Sequence, residues 1–156
     1  MATLISHSPE ETEALGETWG REAESGLVIG LSGDLGAGKT QLVKGVARGL
    51  DIRARVHSPT FALLNVYGGG RLNLNHLDLY RLENREQVIA AGLEEYFHPS
   101  GVTVVEWAER WLGGGESSKF KAQSSKSRAF AAHLRWVQIE SLSETSRRIT
   151  YEDFGD

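Results

Sequence analysis

The chain contains no cysteine among its 156 residues. Disulfide frameworks, thiolate nucleophiles and cysteine-based zinc sites are therefore excluded, and the composition suits a reducing compartment. No apolar run approaches the roughly 20 residues that a membrane-spanning helix needs. The first thirteen residues also lack the basic segment and apolar stretch of a secretory signal. We therefore expect a cytoplasmic protein.

An excess of positive charge is also missing, because 21 acidic residues outnumber 17 basic ones and leave a net charge of −4. The chain as a whole therefore has no broad electrostatic reason to bind nucleic acid. Its five histidines lack the short paired spacings typical of zinc sites, so we predict no histidine metal site. Hydrophobic residues make up 40% and charged residues 24%, which predicts one soluble globular domain over residues 1–156.

A glycine-rich motif near the start of the chain matches the phosphate-loop pattern G-x-x-x-x-G-K-[ST] at every specified position. Its glycines allow successive backbone N–H groups to point at phosphate oxygens at the start of a helix. The lysine is expected to bridge the β- and γ-phosphates, and the last hydroxyl to ligate Mg²⁺. The motif predicts that ATP with Mg²⁺ binds to Gly33, Asp34, Leu35, Gly36, Ala37, Gly38, Lys39 and Thr40.

The residues around this motif have the periodicity that a phosphate loop requires. Residues 27–31 form an apolar run typical of a buried strand, and residues 41–50 place apolar side chains at helical spacing. Ser8 is expected to cap an earlier helix that continues to about residue 24. The order strand, loop, helix predicts an α/β fold of the P-loop NTPase type. We expect a three-layer sandwich with a mixed, largely parallel central sheet and a C-terminal β-hairpin.

The rest of the chain alternates between strand-like and helix-like segments. A stretch at 113–128 contains three glycines, five serines and three lysines with one large apolar residue, so we expect a flexible polar loop there. Its basic side chains could contact RNA, but a solubilising role is favoured because stacking aromatics are lacking. The other predicted elements are a hairpin of 60–67 and 71–80, a helix from Asn84 to about 97 with a break near Gly92, a strand at 102–106, a short helix at 107–112 and a closing hairpin of 131–142 and 147–154.

Two predicted strands end in a carboxylate, Asp78 in the first and Glu106 in the second. Phosphate loops need a carboxylate on a neighbouring strand that holds the metal or its water and orients the nucleophile. The alternative is a solvated carboxylate at the end of a strand. We predict that Lys39, Asp78 and Glu106 are catalytic and that Thr40, Asp78 and Glu106 are metal ligands.

The segment His57-Ser58-Pro59-Thr60-Phe61 occupies a place where many nucleotide-binding proteins carry a sensor of the γ-phosphate. Thr60 would then supply a metal or water contact. From spacing alone, a serine-capped proline turn is the better interpretation, since Ser-Pro turns are frequent.

Together the motifs resemble the bacterial TsaE family, because the phosphate loop, the segment 57–61, His76-Leu77-Asp78-Leu79-Tyr80-Arg81 and Val105-Glu106-Trp107-Ala108-Glu109-Arg110 occur in the family order. The resemblance spans residues 8–110 and extends more loosely to the closing hairpin. The stretch 113–128 departs from the family pattern, since it is longer and richer in serine and lysine.

The resemblance implies a small, slow ATPase that supports threonylcarbamoyladenosine (t6A) formation on tRNA. Its partners would be the TsaB and TsaD proteins, and tRNA would be involved indirectly. Lys39 and Thr40 would have phosphate and Mg²⁺ roles, and Asp78 and Glu106 metal or catalytic roles. The resemblance also implies supporting roles at the nucleotide for Thr60 and Trp107, which raises Thr60 above the simple turn.

Three other functions use the same phosphate cradle. A small-molecule or nucleoside kinase usually needs an arginine-rich lid, and we find none in the sequence. A GTP-driven switch is disfavoured because the chain has no N-K-x-D motif for guanine. The third is a non-catalytic scaffold, in which bound nucleotide orders the Thr60 segment and controls partner docking. The kinase and the scaffold remain alternatives to the ATPase.

Overall fold

The protein forms a seven-stranded sheet covered by helices on both faces, as seen in a computed structural model that describes residues 2–33, 38–59, 61–112 and 133–155. A 3₁₀ turn at Glu94–Phe97 follows the third helix. The other described elements are β1 (Ala2–Ser6), α1 (Pro9–Glu22), β2 (Leu27–Gly33), α2 (Lys39–Gly49), β3 (Leu64–Tyr67), β4 (Leu74–Asp78), α3 (Arg85–Ala90), β5 (Val102–Glu106), α4 (Glu109–Leu112), β6 (His133–Ser141) and β7 (Arg147–Phe154).

The sheet has the strand order β1-β7-β6-β2-β5-β4-β3. Its four central strands are parallel, because β2 pairs with both β5 and β6 in parallel and β4 pairs with β5 in the same way. The outer pairs, β1 with β7, β7 with β6 and β3 with β4, are antiparallel. Both predicted hairpins and the mixed, largely parallel sheet are therefore confirmed. The arrangement brings the carboxyl ends of β2, β4 and β5 to one edge.

Two hydrophobic clusters fill the spaces between the sheet and the helices. On one face α1 and α2 bury side chains such as Trp19 and Val46 against Ile29 of β2. On the other face α3 and α4 pack beneath β5 through residues that include Val88 and Val105. Alternate residues of the central strands thus face opposite clusters, as expected for strands that are covered on both sides. The predicted three-layer sandwich is confirmed.

Glycines let α1 and α2 approach each other at backbone distance. A Cβ built on Gly45 of α2 would lie 2.0 Å from the carbonyl oxygen of Glu13, and one built on Gly16 of α1 would lie 2.3 Å from that of Leu42. Arg48 adds an ion pair of 2.5 Å to Glu13 across the same contact. A side chain at either glycine would push the helices apart. The two glycines therefore allow α2 to pack directly against the backbone of α1.

The local signals agree with the structure at most helix ends. The Ser8 side chain accepts a hydrogen bond of 3.1 Å from the Glu11 amide, and Asn84 caps α3 by accepting one of 3.0 Å from the Gln87 amide. Gly92 adopts a φ of +79° and separates α3 from the 3₁₀ turn, which confirms the predicted break. Strand β1 was not anticipated, because five residues without clear alternation give little signal.

The predicted polar loop at 113–128 lies outside the described residues. Within the described ranges, every helix is too short or too polar to cross a membrane.

Candidate functional site

The site begins at the junction of β2 and α2. Gly33 ends β2, and Gly38 lies at the N-terminus of α2 with a φ of +99°, in the left-handed region that favours glycine. The first turn of α2 carries no acidic side chain and no side-chain cap, so the positive end of the helix dipole favours an anion there. The predicted phosphate-binding residues between them, Asp34, Leu35, Gly36 and Ala37, lie outside the described residues.

Lys39 folds back over this junction. Its Nζ donates a hydrogen bond of 2.6 Å to the Gly33 carbonyl oxygen and lies 4.1 Å from the centre of the Trp107 ring. Although it is charged, Lys39 is 5% exposed. A buried ammonium is most stable beside anionic or aromatic partners. Its position at the start of α2 therefore suits the binding of a phosphate group.

Trp107 has a constrained backbone. It follows β5 directly and has a φ of +60°, which is uncommon for a residue with a bulky side chain. Its ring also lies 5.0 Å from that of Tyr80, which follows β4. Backbone strain of this kind persists where the surroundings require it and is frequent at functional sites. The residues that follow β4 and β5 thus place the Tyr80 and Trp107 rings side by side, and the Lys39 ammonium lies over the Trp107 ring.

Asp78 and Glu106 end adjacent parallel strands and are register partners in the β4–β5 pair. Both carboxylates are nearly fully buried. The Thr40 hydroxyl lies 3.3 Å from Glu106 Oε2 and 3.4 Å from Oε1 and donates toward this carboxylate. The structure therefore brings Thr40, Glu106 and Asp78 to one edge of the sheet, where the sequence placed them.

The Asp78 carboxylate is held at both oxygens. Ser58 Oγ donates a hydrogen bond of 2.9 Å to Oδ2, and the Tyr80 amide donates one of 2.9 Å to Oδ1. From spacing alone, Ser58 is expected only to cap a proline turn. Its hydroxyl instead connects the segment before Thr60 with a predicted metal ligand. Thr60 itself lies outside the described residues.

His76 is a component of the site that the sequence did not indicate. Its side chain is fully buried, and its Nε2 lies 2.5 Å from Glu106 Oε2. The available signal was its position two residues before Asp78, because alternate residues of a strand share a face. Zinc-type spacings along the sequence do not reveal a histidine that pairs with a carboxylate on another strand.

The oxygens at this edge fit Mg²⁺. Among the described residues, no group of three or more histidine, aspartate or glutamate side chains is arranged to enclose a metal ion. Mg²⁺ is usually bound by one or two carboxylates together with substrate phosphates and water. The Thr40 hydroxyl and the Glu106 and Asp78 carboxylates offer this type of donor set beside the start of α2.

A cavity of about 200 Å³ adjoins the start of α2 on the side of the closing hairpin. A Cβ built on Gly38 would lie 3.7 Å from Nε of Arg147, so this arginine borders the predicted phosphate loop. No motif in the sequence marks this part of the hairpin. The cavity is lined by Pro9, Thr12, Gly38, Gln41, Thr145 and Arg147.

Comparisons with known proteins give a consistent result. The family model described as "Threonylcarbamoyl adenosine biosynthesis protein TsaE" matches residues 6–141. The tRNA threonylcarbamoyladenosine biosynthesis protein TsaE of Bacillus subtilis is 48% identical over 101 residues, which are 65% of this chain and 63% of that protein. The protein of the same name from Treponema pallidum is 47% identical over 106 residues, covering 68% of this chain and 78% of its own.

A solved structure has the same fold. The crystal structure of YdiB from Bacillus subtilis is 33% identical to this chain with a TM-score of 0.71, and the alignment covers 96% of this chain and 83% of that one. The matched region in the Bacillus TsaE sequence is, by contrast, less than two thirds of that protein's length.

Proposed function

Since this chain belongs to the TsaE family of threonylcarbamoyl adenosine biosynthesis proteins, we propose that it is a Mg²⁺-dependent ATPase that supports t6A formation on tRNA. It acts with TsaB and TsaD, and its hydrolysis of ATP is slow when it is alone. The site it uses is the edge of the sheet at the start of α2.

The proposal rests on two side-chain contacts that lie next to each other at the N-terminus of α2. Lys39 is held by the Gly33 carbonyl and the Trp107 ring, and the adjacent Thr40 hydroxyl points to the Glu106 carboxylate. A phosphate-binding cation, a metal-binding hydroxyl and a carboxylate therefore lie side by side. This is the set that phosphoryl transfer to water requires.

Each side chain has a distinct task in the proposed reaction. Lys39 stabilises the negative charge that develops on the phosphate oxygens. Glu106 orients the attacking water and accepts its proton at a carboxylate oxygen. Asp78, fixed by Ser58 and Tyr80, would hold the metal or its water. Mg²⁺, when bound, neutralises charge on the β- and γ-phosphates.

Coupling to partners is supported by the segment around Thr60. Its Ser58 contacts Asp78 at the nucleotide edge, whereas the Phe61 side chain is 84% exposed. Arg81 lies over the Phe61 ring at 4.2 Å. Because Ser58 and Phe61 belong to one short segment, we propose that a change at the metal edge shifts this exposed aromatic ring and thereby controls docking of TsaB or TsaD there. The same link also favours the second candidate function, a nucleotide-dependent scaffold.

The test is the release of phosphate from ATP, measured for the protein alone and with TsaB, TsaD or both added. We expect Mg²⁺-dependent turnover that rises when both partners are present and stops when EDTA is added. No turnover with either partner, together with ATP-dependent capture of TsaB and TsaD, would replace the ATPase by the scaffold. ADP formation that depends on an added small-molecule acceptor would instead indicate a kinase.

A further inference from the structure

We infer that His76 is a positioning residue for the proposed ATPase reaction, and that it fixes the orientation of the Glu106 carboxylate from within the protein core. The inference rests on the proposed function for its catalytic consequence. The contact between the two side chains stands independently of that function.

The geometry places His76 behind Glu106. His76 pairs in register with Val104, one pleat before the pairing of Asp78 with Glu106, so its side chain reaches along the same face of the sheet. Its Nε2 meets Glu106 Oε2 at 2.5 Å, and both side chains are almost completely buried. Glu106 therefore has the start of α2 on one side and the imidazole on the other.

The other ring nitrogen indicates which tautomer is present. His76 Nδ1 is buried and has no hydrogen-bond partner among the described residues. A buried N–H without an acceptor is rarer in proteins than an oxygen or nitrogen lone pair without a donor. A ring whose hydrogen lies on Nε2 leaves only a lone pair at Nδ1. In this tautomer Nε2–H donates to the Glu106 carboxylate.

The donation fixes a side chain that otherwise has freedom to rotate. Glutamate has three rotatable side-chain bonds, and Thr40 reaches both oxygens at 3.3 and 3.4 Å, so it does not distinguish between them. His76 contacts Oε2 alone. The imidazole therefore makes the two carboxylate oxygens inequivalent, so that Oε1 is the oxygen that can meet the water or the metal at the site. Partners that orient an active carboxylate in this way typically change metal affinity or activity by about 10–100-fold when removed.

Two substitutions separate positioning from packing. His76→Gln retains an N–H donor at a comparable distance from the backbone, whereas His76→Leu fills similar space without a donor. The matched control is Leu77→Val on the same strand, because Leu77 is fully buried but packs in the cluster on the opposite face. It perturbs the core on the face of the sheet that does not carry the Glu106 side chain.

The kinetic experiment measures kcat, KM for ATP and thermal stability of the three variants with TsaB and TsaD present. We expect His76→Leu to lower kcat by about 10–100-fold with KM nearly unchanged, and His76→Gln to recover most of the activity. Leu77→Val is expected to lower the melting temperature without changing kcat. Full activity in His76→Leu, or equal losses in the Gln and Leu variants, would overturn the inference.

A spectroscopic experiment tests the contact even if the protein hydrolyses no ATP or the variants fail to fold. Long-range ¹H–¹⁵N correlation spectra of the unmodified protein assign the tautomer of each histidine ring. We expect His76 to carry its hydrogen on Nε2 and its ring signals to shift in Glu106→Gln. A hydrogen on Nδ1 alone would overturn the inference, whereas absent ATP turnover with the expected tautomer would remove only the proposed function.

Discussion

Lys39 Nζ lies 4.1 Å from the centre of the Trp107 ring, and Trp107 directly follows the carboxylate of Glu106 in the chain. The residue that is expected to bind phosphate therefore contacts the residue next to the one expected to activate water. Because Trp107 has a positive φ, its ring direction depends on how β5 ends. The predicted phosphate-binding side chain and the position of Glu106 are thus connected through one aromatic side chain.

Loss of the Lys39 charge should weaken nucleotide binding. We expect Lys39→Ala to bind ATP about 10–100-fold more weakly, because a hydrogen bond to a charged group is worth about 1.5–3 kcal/mol. Isothermal titration calorimetry measures the change. Lys44→Ala, an exposed site on the same helix, is the control and should bind as the unmodified protein does. Equal affinity for both variants would contradict the assigned role.

Loss of the Glu106 carboxylate should separate hydrolysis from binding. We expect Glu106→Ala to abolish partner-dependent phosphate release, since general base catalysis contributes about 10²–10⁴-fold. Its affinity for ATP without metal should remain within about twofold, because Lys39 and the helix start are unchanged. Glu106→Gln keeps the shape and serves as the second variant. Unchanged turnover in both variants would remove Glu106 from the mechanism.

The exposed ring of Phe61 should matter for partners and not for ATP. We expect Phe61→Ser to reduce the stimulation of hydrolysis by TsaB and TsaD by at least about tenfold, as truncation of an aromatic interface residue commonly does. Val66→Ser provides a matched control, since Val66 is also exposed but lies on the edge strand β3. Equal effects of the two substitutions would indicate that Phe61 has no special part in docking.

The contact of α1 with α2 should be intolerant of even one methyl group. In an exposed helix, replacing glycine by alanine stabilises by roughly 1 kcal/mol. We expect Gly45→Ala to do the opposite and to lower the free energy of unfolding by about 1–3 kcal/mol, because its Cβ would collide with the Glu13 carbonyl. Thermal denaturation measures this, with Lys44→Ala as the reference. A stabilised Gly45→Ala variant would show that the helices can separate freely.

Much of the fold could be predicted because its signals are local. The strand, loop and helix around Lys39 have distinct periodicities, and the caps Ser8 and Asn84 depend on residues within one helical turn. Asp78 and Glu106 were also accessible, since each ends an apolar run and the carboxyl ends of parallel strands meet at one edge. Their side-by-side register follows from the pairing of β4 with β5.

The features that escaped prediction depend on contacts between distant segments. His76 gains its significance from Glu106 on another strand, and a search for histidine pairs along the chain cannot reveal this. The same holds for Gly16 and Gly45. Glycine inside a helix lowers helix propensity, so the sequence indicates weak helices there and does not reveal that α1 and α2 pack closely. Ser58 fits a simple turn until Asp78 is placed beside it. In each case the partner is specified by tertiary structure.

The edge position of β1 has a consequence for synthesis on the ribosome. Among the described strands β1 pairs with β7 alone, so Ala2–Ser6 are synthesised long before their partner strand, Arg147–Phe154. Pairing across so long a separation is slow and leaves the backbone N–H and C=O groups of β1 without their strand partner until β7 has been made. A nascent chain that stalls before β7 therefore presents an open strand edge to chaperones and to other chains.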